Sequence, residues 1–414
     1  MANITKPKGT SDIYGENAAL WRYIESQIHA AAALFALEEM RTPMFENVEL
    51  FVRSVGEATD IVQKEMYTFT DRGERTYALK PEGTAPTVRA YIENSLYTLP
   101  APAKYYYITH NFRAERPAKG RYRQFHQFGA EFFGTTSAIA DAEMISLAHL
   151  FLTNLGIENL TLHINSIGDT DCRKRFNTAL LAFLSEKKGS LCQLCLERME
   201  KNPMRVLDCK NPACQELIKD APVPLENLSD ECTAHFTSLQ KHLTALGIPY
   251  TIDKGIVRGL DYYNRTVFEF MSSDLGAQST VCGGGRYDAL VDGGAVGFGM
   301  GIERLILILE AQGKLPHIPR DITVFVGGMG DVGAEKAAQL TYNLRKAGIS
   351  AISDLCDRSV KAQLKYADRL GAAHSLVIGE TELKSGRTTI KNMQNGEAEE
   401  IEIDKIVEFF RRKL

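Results

Sequence analysis

Five basic side chains crowd one short stretch of the sequence, NFRAERPAKGRYRQFHQFGAE: Arg113, Arg116, Lys119, Arg121 and Arg123. They gather around a proline and a glycine, and the chain turns hydrophobic on both sides. Arginine offers a planar fork of N–H donors that matches phosphate oxygens, so the stretch reads as an anion clamp. A solvated hairpin tip would have the same composition. Arg121 and Phe125 lie four residues apart, and a flat aromatic beside a cation suits a purine next to its phosphates.

Other segments carry chemistry of their own. In GFGMGIERLILIL, Gly297, Gly299 and Gly301 alternate, which strips one strand face of side chains and lets a flat ligand or another backbone come close. Glu303 and Arg304 then open an apolar helix, where Arg304 would serve either a surface ion pair or the second face of a stacked base. The spacing does not fit the dinucleotide fingerprint, which has two residues between its second and third glycines. RGLDYYNRTVFEF sets Arg258, Asp261, Tyr262 and Tyr263 ahead of a strand, as an ordinary strand entry also would. CGGGRYD adds three glycines, which permit positive φ angles, and a second Arg-Tyr-Asp group ending at Asp288. Cys192 and Cys195 are spaced C-x-x-C, and Cys209 and Cys214 follow. Four thiolates suit a structural zinc site, but the second pair has four residues between its members, less regular than most ribbons. No metal ligand is assigned from the sequence.

The elements that must position these residues follow from patterning. An Ala-rich amphipathic helix covers 17–37 and is broken by Pro43. Short strands then alternate with turns, including a hairpin across Asp71, Arg72 and Gly73. YYYITHNF and RQFHQFGAEFF are two long antiparallel strands joined by the basic loop. ADAEMISLAHLFLTNLG is a helix closed by Gly156, and TLHINSIG is a strand. Residues 169–250 are helical, polar and hold most of the cysteines. KLPHIPRD is a linker. Beyond it, strands at ITVFVGG, SAISDL and HSLVIG alternate with helices at 332–347 and 359–370, the pattern of a small α/β domain. The fold class is therefore α/β: an α+β domain on a mainly antiparallel sheet with a helical insertion, then a C-terminal α/β domain.

The whole-chain numbers agree with that layout. The 414 residues allow roughly two to three domains of about 150 residues each. Net charge is −4, so nucleic acid would be bound through local patches. No apolar run approaches the roughly 18–20 residues of a membrane span. The first residues have no apolar signal core, and the eight cysteines form no evident disulfide framework. A cytoplasmic protein is expected.

Taken together, the segments resemble the class II aminoacyl-tRNA synthetases, and specifically their histidine-specific branch. A strand ending in FRAE, the basic loop, Arg121-x-x-x-Phe125 and a strand ending in Glu131 resemble the second signature of that class. GFGMGIERL resembles the third signature. The helix ending in RTPMFE resembles the first, the element that usually builds the dimer. RGLDYYNRTVFEF and CGGGRYD resemble segments peculiar to the histidine branch, and the resemblance runs essentially through the whole chain. It implies activation of L-histidine by ATP with Mg²⁺, then transfer to the 3′ end of tRNA(His), by a homodimer.

By that resemblance Arg113 and Arg258 are catalytic cations at the α-phosphate. Arg121 reaches the β/γ end of ATP, Phe125 and Arg304 sandwich the adenine, and Glu115 joins the ATP site. LKPEGT resembles an amine-binding turn, which puts Glu82, Gly83 and Thr84, with Gln127, at the α-amino group. Glu131 and Tyr263 become imidazole partners, with Tyr262 and Tyr287 lining the pocket and Arg113 and Arg258 also touching histidine. Structural ion pairing is the alternative for Glu82 and Glu131. Residues 1–320 become the catalytic domain and 321–414 an anticodon-binding domain, where Lys361, Lys365 and Arg369 either meet phosphates or form a solvated face. The segment around NPMRVLDCKNP looks like the family's usual insertion, with which no required metal is associated. A catalytically inactive, synthetase-like regulatory subunit is the main alternative. An amide synthetase unrelated to tRNA is a third possibility. Both would commonly lack the C-terminal domain, which this chain has, and the first commonly alters the arginines.

Overall fold

The computed structural model describes residues 4–57, 59–201, 203–207, 209, 211–256, 260–318 and 321–413. Two compact units divide the chain, Met1–Pro316 and His317–Leu414. No described helix is long and apolar enough to cross a membrane.

The strands of the first unit are β1 (Glu38–Glu39), β2 (Phe45–Asn47), β3 (Thr68–Thr70), β4 (Thr76–Leu79), β5 (Ala103–Phe112), β6 (Gln124–Phe133), β7 (Leu160–Ser166), β8 (Thr251–Ile252), β9 (Asn264–Ser272), β10 (Thr280–Arg286) and β11 (Ala295–Gly301). Its helices are α1 (Gly15–Leu34), α2 (Val48–Val55), α3 (Thr84–Glu93), α4 (Ala138–Asn154), α5 (Thr170–Glu186), α6 (Gln193–Lys201), α7 (Pro212–Leu217), α8 (Asp230–Ala245) and α9 (Ile302–Ala311). Among the described residues, eight strands form one sheet in the order β1-β5-β6-β11-β10-β9-β7-β8, and β2-β4-β3 form a small separate sheet. The central pairs are antiparallel, whereas β1 and β8 join parallel at the two edges.

Strand periodicity divides the large sheet into two chemically different faces. Phe128, Ala130 and Phe132 of β6, with Val296, Phe298 and Met300 of β11, bury against α1, α4, α8 and α9. The alternate positions, Gln127, Gly129 and Glu131 on β6 and Gly297, Gly299 and Gly301 on β11, face the other way and pair across the strands. The helical segment 169–250 is not one body. Phe236, Leu239 and Leu243 of α8 enter the main core, while α5 and the cysteine-bearing segments build a separate small core around Phe176, Leu180, Leu184 and Val206.

One boundary departs from the sequence expectation. Helix α1 stops at Leu34, well before Pro43. Leu37 N–H bonds the Ala32 carbonyl at 3.0 Å and Ala36 N–H bonds that of Ala33 at 3.1 Å. That is the paired-bond helix ending usually built on glycine, here with Ala36 at φ 55°. Burial of Leu37 beside α1 holds this uncommon alanine conformation and starts β1 early enough to pair with β5.

A buried ion pair ties the helix layer to the sheet. Arg286, at the end of β10, and Asp141, in the first turn of α4, both have fully buried side chains. Arg286 Nη2 donates to Asp141 Oδ1 and, at 3.1 Å, to the Ser137 carbonyl. Its Nη1 donates to the Thr135 carbonyl at 2.6 Å and to Asp288 at 2.9 Å, and its Nε to Asp141 Oδ2 at 3.4 Å. Thr266 and His235 also bond Asp141, at 2.6 and 2.8 Å. Burial opposes the Asp141 charge, but Arg286 and His235 hold its carboxyl below its ordinary value. Its contribution to stability is thus present above that ordinary value and is lost as pH falls through the depressed one.

In the second unit the strands are β12 (Val324–Gly328), β13 (Ala351–Ser353), β14 (His374–Ile378), β15 (Arg387–Asn392) and β16 (Ala398–Glu402), in the order β13-β12-β14-β15-β16. The helices are α10 (Gly330–Lys346), α11 (Val360–Leu370), α12 (Glu380–Ser385) and α13 (Ile406–Arg411). The parallel β12, β13 and β14 match the alternation in the sequence. The antiparallel hairpin β15–β16 was not anticipated. Lys361, Lys365 and Arg369 are all exposed on one stripe of α11.

Arg286→Met should lower unfolding free energy by about 3–5 kcal/mol, because it leaves the Asp141 carboxylate buried without its charge partner. Urea unfolding of the full chain checks this.

Candidate active site

On the open face of the sheet, Glu131 is completely buried and ringed by hydroxyls. Its Oε1 accepts from Thr84 Oγ1 at 2.8 Å and Tyr107 Oη at 2.9 Å, and its Oε2 accepts from Tyr287 Oη. A carboxylate has about two lone-pair sites on each oxygen, so Oε1 is filled and Oε2 retains one. Burial pushes the carboxyl up to about 8, with the three hydroxyl donors working against it. Burial also keeps Tyr107, Tyr262 and Tyr287 far above the ordinary phenol range, so they remain donors.

The glycines make room for this group. A Cβ at Gly297 would stand 1.6 Å from Glu131 Oε2, one at Gly129 2.2 Å from Tyr107 Cζ, and one at Gly83 2.3 Å from Tyr107 Cε2. The side-chain-free face of β11 is therefore only partly free for a ligand. At Gly297 the space belongs to Glu131, whereas Gly299 and Gly301 line an open pocket. Tyr107 was missed in the sequence. Its only signal was the alternation of YYYITHNF, which sends Tyr106 to the helix layer and Tyr107 to this face.

Glu82 stands at the start of α3. Its Oε2 accepts the Thr84 N–H at 2.7 Å and its Oε1 the Ala85 N–H at 2.8 Å, satisfying amides that a helix leaves unpaired at its first turn. Burial still raises its carboxyl above the ordinary value, against the amide bonds and the nearby Arg113. Thr84 links the two acids, giving its N–H to Glu82 and its hydroxyl to Glu131. Gln127 Oε1 accepts from Asn111 Nδ2 at 2.6 Å. Tyr262 packs at 4.6 Å from Tyr263 and 5.5 Å from Tyr287, ring centre to ring centre. A register shift between Gly285 and Arg286, beside Arg265 at φ 49°, marks a bulge next to this tyrosine cluster, a device common beside active sites.

The basic loop forms the outer wall. A cavity of about 420 Å³ is lined by Arg113, Glu115, Arg121, Phe125, Gln127 and Arg304, among others. Arg113 Nε donates to the Pro81 carbonyl at 3.0 Å, and its guanidinium lies 5.2 Å from the Phe125 ring centre. Arg121 pairs with Glu115 at 3.0 Å. Arg304 donates to the Thr280 carbonyl and, at 3.2 Å, to the Gly120 carbonyl, which draws the turn of the basic loop toward α9. Sequence reasoning missed Asp60, Glu65 and Arg205 on this wall. Arg205 comes from the helical insertion and reaches Asp60 at 3.3 Å. Arg258 lies outside the described residues.

An acidic, hydroxyl-lined chamber thus sits beside an arginine-walled pocket on one face of an antiparallel sheet. The first suits a small cationic or ring-bearing ligand, the second a polyphosphate with a flat base. Together with the signature segments, this mainly antiparallel sheet with its helix layer is the fold that the resemblance to the class II aminoacyl-tRNA synthetases implies. The family model described as "Histidyl-tRNA synthetase" matches residues 9–305, and that described as "Anticodon binding domain" matches 321–413. A "Histidine--tRNA ligase" of Clostridioides difficile (strain 630) is 49% identical over 415 residues, 99% of each chain. One from Acetivibrio thermocellus is 49% identical over 408 residues, 97% of this chain and 98% of that one. The crystal structure of apo S. aureus histidyl-tRNA synthetase superposes with a TM-score of 0.85 at 39% identity, covering 99% of this chain and 100% of the other. The chain belongs to the histidyl-tRNA synthetase family.

The Glu131 shift has a measurable sign. Because kcat/KM reports groups of the free enzyme, kcat/KM for histidine should rise with pH through about 8. Free imidazole titrates near 6.5, so that upper limb belongs to the protein, and Glu131→Gln should remove it. The unliganded chain should lose stability as pH climbs from the ordinary 4.5 through about 8, since the folded state binds the extra proton over that window. A pH series of thermal melts checks the second point.

Proposed function

We propose that the chain is a histidine–tRNA ligase acting in two steps. A carboxylate oxygen of L-histidine attacks the α-phosphorus of ATP, the bond to the β-phosphate bridge breaks, and pyrophosphate leaves histidyl-adenylate. The terminal hydroxyl of tRNA(His) then attacks the acyl carbon, and AMP leaves. The carrying observation is the hydroxyl-ringed Glu131 on the same sheet face as the arginine-walled pocket, in a chain matched along its whole length by histidine–tRNA ligases. That length and the retained arginines do not favour an inactive regulatory subunit.

In this reading Glu131 takes an imidazole N–H on its remaining lone pair, and Tyr263 meets the other side of the ring. Tyr262 and Tyr287 close the chamber. An amino acid without that N–H leaves the buried carboxylate short of a partner, which is the strong form of discrimination. Glu82, Gly83, Thr84 and Gln127 surround the α-ammonium, whose charge favours the ionised form of both acids. Arg113, fixed by Pro81, holds the α-phosphate beside the histidine carboxylate. Arg121 exchanges Glu115 for the β/γ-phosphates, and Phe125 and Arg304 bracket the adenine. Arg258 supplies a second cation as charge builds at the α-phosphate.

ATP arrives with Mg²⁺, and Glu65 and Glu115, two of the carboxylates on that wall with Asp60 and Glu303, would hold the ion. Burial, and after it the charge of Glu115, raises the Glu65 carboxyl, a repulsion that a divalent cation relieves. When bound, the ion spreads the charge of the phosphate oxygens. The protein works in the cytoplasm as a homodimer assembled through α1 and the β1 edge, and 321–414 engages the anticodon of the tRNA.

Histidine-dependent ATP–pyrophosphate exchange tests the reading. Arg258→Ala should slow exchange about a hundred- to a thousand-fold, as loss of one preorganised donor does, with little change in KM for ATP. Near-normal exchange would leave Arg113 as the α-phosphate cation and end the role given to Arg258. A chain ending at Pro316 should keep exchange, because the chamber and the pocket lie within the first unit, and should charge tRNA(His) poorly. Charging at the full-length rate would contradict an anticodon role for the second unit.

A further inference from the structure

The helical insertion brings four thiols, spread over residues 192–214, to one point. The sulfur atoms of Cys192, Cys195, Cys209 and Cys214 all lie within 4.8 Å of one another. None is in a disulfide, and Cys192 Sγ and Cys209 Sγ are 3.9 Å apart. A zinc–sulfur distance of about 2.3 Å in tetrahedral geometry requires sulfur pairs about 3.8 Å apart. We propose that these four cysteines bind a structural Zn²⁺ ion, and that the ion fixes Arg205 at the wall of the nucleotide pocket.

The irregular spacing of the second pair has a local cause. Asn211 accepts the Ala213 N–H at 3.0 Å as the cap of α7, Pro212 opens the helix, and Cys214 is its third residue. Asn211 and Pro212 thus turn the chain into α7 before the second sulfur is delivered. Backbone amides already face the sulfurs: Cys192 N–H donates to Cys214 Sγ at 3.3 Å and Asn211 N–H to Cys209 Sγ at 3.4 Å. Such outer bonds orient thiolate ligands and stabilise their charge. The surroundings need a staple. Helices α6 and α7 have nine and six residues, too few to stand alone in water. The core they share with α5 is small and has three of the thiols, Cys195, Cys209 and Cys214, buried within it. A closed four-sulfur set without oxygen ligands favours zinc over magnesium or calcium.

The link to Arg205 runs through short covalent and hydrogen-bonded steps. Arg198, on the helix that carries Cys195, donates to the Arg205 carbonyl at 2.9 Å. Val206 is completely buried, and its carbonyl accepts the Cys209 N–H at 3.1 Å. The Arg205 backbone is thus held between two of the cysteines, while its side chain reaches Asp60 on the pocket wall. This second part rests on the pocket being the ATP site. The metal itself does not.

Metal analysis of the full-length chain, purified reduced from zinc-supplemented cells, should find about one Zn²⁺ per chain, the stoichiometry of a closed four-ligand site. Replacement by Co²⁺ should give the intense visible d–d and sulfur-to-metal charge-transfer bands of a tetrahedral thiolate site. Cys192→Ser and Cys214→Ser should lose those bands, and the exposed Cys356→Ser should keep them. A wild-type chain that takes up neither ion in equilibrium dialysis overturns the site, even if the serine variants fail to fold, and so do bands that survive in Cys214→Ser. These readouts need no substrate, so they stand apart from the ligase reading. In the exchange assay, zinc removal should raise KM for ATP several-fold and leave KM for histidine little changed. Equal rises would break the link to Arg205 while the metal spectrum still judged the site.

Discussion

Placing a carboxylate in the middle of a sheet face, out of reach of water, costs several kcal/mol unless donors replace the lost hydration. Around Glu131 the donors are Thr84, Tyr107 and Tyr287, drawn from α3, β5 and the residue after β10. Those three elements are fixed relative to one another by the requirement that their hydroxyls converge. The glycines at 83, 129 and 297 follow from the same requirement, because any side chain there would occupy the space of Tyr107 or of the carboxylate itself. The donors do not fully offset the burial, and the carboxyl stays well above its ordinary value. A group held in that condition is poised to gain from a ligand that brings a positive charge and an N–H.

The chamber depends on the layer behind it. Arg286 and Tyr287 are neighbours in sequence yet serve different structures. Arg286 turns to the helix side and saturates its donors on Asp141, Asp288 and two carbonyls. Tyr287 turns to the open side and bonds Glu131. The ion pair therefore anchors the backbone from which a chamber donor is presented, and Thr266 and His235 extend the anchor to β9 and α8. Rigidity here matters more than net stabilisation, since a buried ion pair returns little beyond its own desolvation.

The outer pocket is built differently. Its arginines are held by backbone carbonyls and by exchangeable acids: Arg113 by Pro81, Arg304 by Gly120 and Thr280, Arg121 by Glu115 and Arg205 by Asp60. A polyanion can replace the acids without disturbing the carbonyl bonds. The wall thus keeps its cations pre-placed while their acidic partners remain exchangeable, which suits a pocket that takes in and releases polyanions.

Periodicity and composition alone located the two long strands, the basic loop between them, the glycine-rich strand running into α9 and the strand–helix alternation after residue 321. These are local patterns, set by which side chains can sit on a pleated or helical surface. The sequence was silent where the outcome depended on partners far along the chain. The end of α1 turned on the burial of Leu37, not on Pro43. The hairpin β15–β16 went unread although Asn395–Gly396 is a turn signal, because its strands are polar and exposed on most positions. Tyr107 and Arg205 came only with the fold, and the four cysteines, grouped in the sequence as one possible metal set, were brought to a single point only there. Which face a tyrosine takes, and which loops meet at a pocket wall, is set by register and packing among residues up to about 150 positions apart. No short stretch of sequence encodes that.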